Sequence, residues 1–198
     1  MIPRIEQKAE LKPENYLVAI DWLKSNNFNI LYPERIVSSI YFDNDKMQSY
    51  FDTVEGITPR RKIRIRSYGK NAFDDSSKQF NIETKLSGEY YRSKTQKKIT
   101  DIKEYFENGI IDSQYGFCMP KVKITYKREY FSFKDWRVTI DRFINYEHLG
   151  DSFYKSDDPN FVMEIKTSIN QNHTELRTFF EFPRSKFSKY ERAVASFI

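Results

Sequence analysis

Eleven ionic side chains of this sequence alternate with apolar neighbours in short runs, and their types suit the handling of phosphate. Arg4, Lys8, Arg64, Arg66, Lys85, Arg137 and Lys166 supply cations, and Glu6, Glu83, Asp141 and Glu164 supply carboxylates. Guanidinium forks match phosphate oxygens two at a time, and ammonium groups act as mobile point charges. A hard divalent cation takes oxygen ligands and bridges phosphates while neutralising charge at the group being transferred. Many cations with a few carboxylates is the mixture that metal-assisted phosphoryl transfer requires.

These residues need strands to position them. The clearest runs are Arg4-Ile5-Glu6-Gln7-Lys8-Ala9, Lys62-Ile63-Arg64-Ile65-Arg66 and Asn81-Ile82-Glu83-Thr84-Lys85-Leu86, then Arg137-Val138-Thr139-Ile140-Asp141 and Val162-Met163-Glu164-Ile165-Lys166. Segments 39–43 and 121–125 are weaker members. Successive side chains on a strand point to opposite faces, so each run has one charged face and one apolar face. Short helices are expected over 13–26, 45–54, 101–108 and 172–180, and from the Ser188/Glu191 capping box to the C-terminus. Loops are expected at 67–78, 111–120 and 150–160.

Two arrangements fit this pattern. An open antiparallel sheet would turn its ions to water and its oily face to the core. A closed barrel would instead turn the ions into a wet lumen, with the helices covering the apolar faces outside. Closure would also remove edge strands, which a chain of this type must otherwise protect. The fold class expected is α+β: a closed antiparallel eight-stranded barrel with a polar, basic lumen and short helices packed outside, forming a single domain over 1–198.

Composition narrows the partners. The chain has 198 residues, a net charge of +5 and an aromatic share of 17%. The charge favours an anionic partner without naming one. A single cysteine, Cys118, excludes an internal disulfide. His148 and His173 lack metal-ligand spacing, and Cys118 reads as an inert thiol. No P-loop or Rossmann glycine pattern occurs, so phosphate would be held by side chains. Basic strands with aromatics, such as 60–62 with Tyr68 and 127–133, also suit single-stranded nucleic acid. The glutamates between the cations argue against that, so no DNA or RNA is expected. No apolar run approaches a membrane span and no secretory leader pattern is evident, so a cytoplasmic protein is expected.

The motifs together resemble the VTC-domain polyphosphate polymerases of the triphosphate tunnel metalloenzyme superfamily. The matching pieces are Arg4-x-Glu6-x-Lys8, Ser39-x-Tyr41-Phe42-Asp43, Lys62-x-Arg64-x-Arg66, Glu83-x-Lys85-Leu86 and Tyr126-x-Arg128. Arg137-Val-Thr-Ile-Asp141, Glu164-Ile-Lys166 and Phe187-Ser-Lys189-Tyr190 complete the set. The resemblance implies a triphosphate tunnel that moves the γ-phosphoryl of ATP onto a growing polyphosphate chain, with Mn²⁺ or Mg²⁺ as cofactor. It implies catalytic roles for Arg64, Arg66, Lys85, Arg137 and Lys189. Phosphate would be gripped by these together with Lys8, Arg128, Lys166 and either Lys97 or Lys98. Glu164 would hold the metal, helped by Glu83 and Glu6. A membrane-protein partner and the oligomeric state are left open.

Two departures matter. Arg4 stands where the hydrolytic branch carries Glu, which leans towards the polymerase branch. Arg128 falls by alternation among Val122, Ile124, Tyr126 and Tyr130, so it needs a bulge between Thr125 and Arg128 or else lies along the surface. A triphosphatase using water as acceptor, and a non-catalytic polyphosphate- or nucleotide-binding domain, are the alternatives carried forward.

Overall fold

A computed structural model describes residues 4–69, 73, 79–89, 91–150, 154–168, 176 and 178–198. Among these residues there are ten strands and a few short helices, and the strands pair antiparallel. They are β1 (Arg4–Leu11), β2 (Asn29–Asp43), β3 (Arg60–Tyr68), β4 (Phe80–Ser87), β5 (Arg92–Ile99), β6 (Ile110–Asp112), β7 (Gly116–Phe133), β8 (Trp136–His148), β9 (Lys155–Asp157) and β10 (Phe161–Ser168). The helices are α1 (Tyr16–Ser25), α2 (Gln48–Glu55), α3 (Lys103–Asn108) and α4 (Lys189–Ala195), with a 3-10 turn at Pro13–Asn15 before α1. Most of the helix expected over 172–180 lies outside the described residues.

The chain forms two compact units, and β2, β7, β8 and β9 contribute residues to both. The first unit, from Met1–Arg35, Tyr126–Ile144 and Asp157–Phe187, carries the order β1-β10-β8-β7-β2. The apolar faces expected of β1, β8 and β10 meet here: Ile5, Ala9, Val138, Ile140, Met163 and Ile165 form one core with Ala19, Trp22 and Leu23 of α1. Trp22 stacks on Phe28 and meets Phe179, Phe180 and Phe182 edge-on. Such ring clusters replace the aliphatic bulk that this polar composition lacks.

The second unit, from Ile36–Thr125, Asn145–Ser156 and Ser188–Ile198, carries β8-β7-β2-β3-β4-β5, with β6 paired to β7. Ile40, Phe42, Ile63, Ile65 and Phe80 pack under Tyr105 and Phe106 of α3. Segment 111–120, expected to be a loop, is instead a hairpin of β6 with the start of β7. Asp112 makes its turn by accepting hydrogen bonds from the backbone of Gln114 and Tyr115.

The expected eight-stranded closure is not what the pairing draws. Among the described residues the path is open, with β1 and β5 as its end strands. β5 explains one end. Its residues 92–98 are all exposed and four of them are Arg or Lys, the composition that discourages further strand addition. The antiparallel, helix-poor architecture stands, whereas the closed barrel does not.

Candidate active site: two charged strand faces

In the second unit, strand register gathers the ions. Arg64 lies opposite Glu83, Lys62 opposite Lys85 and Arg66 opposite Asn81, while Lys85 lies opposite Lys94 and Asn81 opposite Lys98. Alternation therefore gives one face to Arg60, Lys62, Arg64, Arg66, Lys85, Arg92, Lys94 and Lys98 with a single carboxylate, Glu83. The opposite face carries Ile63, Ile65 and Ile82 and belongs to the core.

Glu83 is the hub of this face. Arg64 donates Nε to Oε2 at 2.7 Å, Arg66 Nη1 stands 3.8 Å away, and Lys94 Nζ binds Oε1 at 2.5 Å. Burial raises the Glu83 carboxyl, but Arg64, Arg66 and Lys94 outweigh it and hold the group down at about 2. Arg64 also donates to the Tyr41 hydroxyl at 2.8 Å, and Arg66 to Ser39 Oγ at 3.1 Å. Both guanidinium planes are thus fixed before any ligand arrives. Burial pushes the Tyr41 phenol up, yet Arg64, Arg66 and Lys62 pull it down to about 8.

α4 completes this face. Ser188 caps the helix by accepting from Glu191 N, as its capping box predicts, and also receives Lys62 Nζ at 2.9 Å. Tyr190 stacks on Tyr41 with centroids 5.1 Å apart and donates its hydroxyl to the buried Asp43 at 2.6 Å. Asp43 also accepts from the backbone of Ser49 and Tyr50 in the first turn of α2. The Tyr41, Asp43 and Tyr190 motif positions therefore anchor α4, which starts at Lys189.

The first unit carries a different face. Glu6 lies opposite Lys166 and Lys8 opposite Glu164 on β1 and β10, and Glu164 and Lys166 lie opposite Thr139 and Arg137 on β8. Lys166 Nζ stands 3.0 Å from Glu164, and Lys8 Nζ donates to the Phe187 carbonyl at 3.0 Å. Burial raises the Glu164 carboxyl, but Lys166, Lys8 and Arg128 hold it well below the usual carboxylate range. Arg128 grips Asp141 through both oxygens, at 2.5 and 2.7 Å, with its guanidinium 5.1 Å from the Tyr126 ring. Arg128 is therefore not a surface residue. It reaches the charged face with no left-handed residue between Gly116 and Phe133.

Most expected residues fall on these two faces, each within its own unit. Arg64, Arg66, Lys85, Lys98 and Glu83 share the second unit's face with Lys189 at the adjoining helix start. Lys8, Arg128, Arg137, Lys166, Glu6 and Glu164 share the first unit's face. Lys97 does not belong: its register partner is Ile82, on the core side. Lys94 is the residue missed. β5 lacks an apolar alternation, so its register was invisible until Glu83 was seen to bind Lys94.

Among the described residues no three His, Cys, Asp or Glu side chains converge on one point. Glu83 is engaged by three cations and is poorly placed to serve as a metal ligand. Glu164 is likewise held by Lys166, Lys8 and Arg128; a Mg²⁺- or Mn²⁺-type ion takes one or two carboxylates and completes its shell with water and substrate phosphate oxygens. No helix of the described residues is long and apolar enough to cross a membrane.

The sequence profile of the VTC domain matches residues 4–116 and 111–198. No curated protein matches the chain in sequence. Among solved structures, an adenylyl-cyclase candidate from Hippeastrum described as having a dominant triphosphatase activity aligns with a TM-score of 0.60 at 15% identity, covering 99% of this chain and 97% of its own. An adenylate-cyclase candidate from Vibrio parahaemolyticus aligns with a TM-score of 0.57 at 13% identity, covering 97% of each. A conserved protein of Pyrococcus furiosus gives 0.53 at 13% identity over 90% of this chain and 87% of its own. At such identities the shared property is the fold. The profile, spanning nearly the whole chain, shows that the chain belongs to the VTC domain family.

Proposed function

We propose that this protein is a divalent-cation-dependent enzyme that binds a linear triphosphate and cleaves its terminal phosphoanhydride bond, with water as acceptor. The observation that carries this reading is the β3–β5 face, where eight cations stand against one carboxylate. A linear polyanion is the ligand that fits a strip of cations spaced along adjacent strands. Arg64 and Arg66, already oriented by Glu83, Tyr41 and Ser39, act as forks for the outer phosphates. Lys85, Lys94, Lys98 and Lys189 are the mobile charges around them. Arg137, Lys166, Lys8 and Arg128 serve the first unit's face in the same capacity.

On the first unit's own face, Glu164 and Glu6 are the carboxylates that would hold a Mn²⁺ or Mg²⁺ ion, which would neutralise the charge of a phosphate bound to that face. The residues' own work is positioning and charge stabilisation. An oxygen of water bonds to the terminal phosphorus, the anhydride P–O bond breaks, and the diphosphate leaves on the cations as a proton passes to solvent.

A second reading keeps the same site with the end of a polyphosphate chain as acceptor. Membership of the VTC domain family favours it, and the triphosphatase described for the Hippeastrum protein favours water. Incubation of purified protein with Mn²⁺ and ATP or inorganic tripolyphosphate separates them. Free phosphate released in step with substrate loss is expected. Acid-insoluble polymer would transfer the assignment to the second reading. Tight binding without turnover would overturn both enzymatic readings and leave a binding domain.

A further inference from the structure

Tyr41 stands on the cation-rich face of the second unit although it carries no charge. Register lays it opposite Arg64, which lies opposite Glu83, so the three form one row across β2, β3 and β4. Its neighbours Ile40 and Phe42 belong to the core on the other side. The residue is only 7% exposed, held by the Tyr190 stack and by the Arg64 guanidinium 5.7 Å from its ring centroid. A phenol has one proton to donate as well as an oxygen that accepts. Arg64 Nη1 takes the oxygen at 2.8 Å, but no acceptor for the Tyr41 proton is within reach among the described residues. Tyr16, Tyr115 and Tyr190 differ, for each donates to a carboxylate, that of Glu129, Asp52 and Asp43 respectively. A buried donor without an acceptor costs free energy, so an outstanding proton on this face points to a missing partner. Lys62, Arg64 and Arg66 surround the hydroxyl with positive charge, and an anion is the acceptor that suits it.

We propose that Tyr41 is a further phosphate-contacting residue, whose hydroxyl accepts from Arg64 and donates its proton to an oxygen of the phosphate that Arg64 grips. This rests on the triphosphate-binding reading above. Tyr41 adds a neutral donor among the cations, and it ties the grip to the protonation of one phenol. The groups facing that phenol are Lys62, Arg64 and Arg66 of β3, with Glu83 of β4 bound to Arg64, and Tyr190 of α4, whose own hydroxyl is engaged by Asp43. Burial raises the phenol, but the three β3 cations outweigh it and bring it down to about 8. Above that pH the donor is gone and a negative oxygen meets the phosphate, so the contribution of Tyr41 to affinity is lost as pH rises through about 8.

The test is calorimetric titration of the intact chain with inorganic tripolyphosphate at low salt, where the remaining cations keep weakened variants measurable. Tyr41→Phe keeps the ring on Tyr190 and removes only the hydroxyl. At pH 7 it is expected to bind about tenfold or more weakly than wild type, the loss that follows from one hydrogen bond to a charged group. A loss of similar size is expected when Tyr41→Phe is added to Arg64→Ala. A loss that disappears in the Arg64→Ala background overturns the contact, because Tyr41 would then act only by orienting Arg64. Unchanged affinity in Tyr41→Phe, with the wild type binding, overturns it as well. The wild type alone supplies a second measurement, ultraviolet titration of its phenols. One phenol ionising near pH 8 is expected to move upward once tripolyphosphate saturates the protein, and a midpoint that stays in place overturns the contact without any variant. If tripolyphosphate does not bind the wild type, the triphosphate reading falls and the Tyr41 contact falls with it.

Discussion

The two units build charged faces from the same alternation of ionic and apolar residues, yet to opposite balance. On the first, Lys8, Arg128, Arg137 and Lys166 stand with Glu6, Glu10, Asp141 and Glu164. Cations and carboxylates oppose each other across the strands, Lys8 to Glu164 and Lys166 to Glu6. On the second, register places eight cations and one carboxylate along strands β3–β5. A balanced checkerboard largely satisfies itself and leaves carboxylate oxygens suited to a hard cation. A strip of closely spaced cations raises the local positive potential, which favours a polyanion. Under the proposed function, the second face is the candidate for phosphate grip and the first the candidate for metal holding.

The largest expected effect comes from removing a fork on the cation-rich face. Arg64→Ala is expected to lower turnover of tripolyphosphate by about 100-fold, since it takes away a pre-oriented donor to developing phosphate charge. It also removes a partner of the buried Glu83, so a lower Tm is expected, and Arg64→Lys should recover stability more fully than turnover. Turnover unchanged by Arg64→Ala would remove the β3–β5 face from the site.

A smaller effect separates the two buried glutamates. Glu164→Gln is expected to raise the Mn²⁺ concentration needed for half-maximal turnover by about tenfold, while Glu83→Gln leaves that midpoint where it was. Equal metal shifts in the two variants would erase the distinction between the faces. Glu83 should show itself in acid instead. Its folded carboxyl lies near 2, below the ordinary 4.5, so its stabilisation is complete above about 4.5 and lost as pH falls towards 2. Thermal melts of Glu83→Gln should flatten in that window relative to wild type, and an identical acid profile would contradict the hub role.

The smallest effect concerns neighbours in sequence on opposite sides of β5. Lys98→Ala is expected to weaken tripolyphosphate binding a few-fold, whereas Lys97→Ala leaves it unchanged. Equal losses would mean that the β4–β5 register is not the one described.

Much of this was legible from residue alternation. Ile63 and Ile65 against Arg64 and Arg66, and Met163 and Ile165 against Glu164 and Lys166, reached the core and the charged face as their spacing dictates. The Ser188/Glu191 box marked the start of α4. Three features were hidden for physical reasons. Arg92-Ser-Lys-Thr-Gln-Lys-Lys has no apolar residue to set a phase, so Lys94 could not be told from Lys97. Val122, Ile124 and Tyr126 share Arg128's side of β7 by alternation and are buried, so Arg128 looked misplaced when β7 was read without its ion-pair partner Asp141. Strand closure depends on hydrogen bonds between distant segments, which alternation within one strand does not encode.

Titration of inorganic tripolyphosphate at two salt concentrations tests the central assignment most directly, comparing wild type with Lys85→Ala/Lys94→Ala/Lys98→Ala. These three lysines are exposed, so the fold should persist, with a lower Tm from the lost Lys94–Glu83 pair and a cooperative thermal transition to verify it. The triple variant is expected to bind about 100-fold more weakly and with a shallower salt dependence, because fewer cations meet the phosphates. Wild-type affinity and salt slope in a folded triple variant would contradict the cation-rich face as the seat of phosphate recognition.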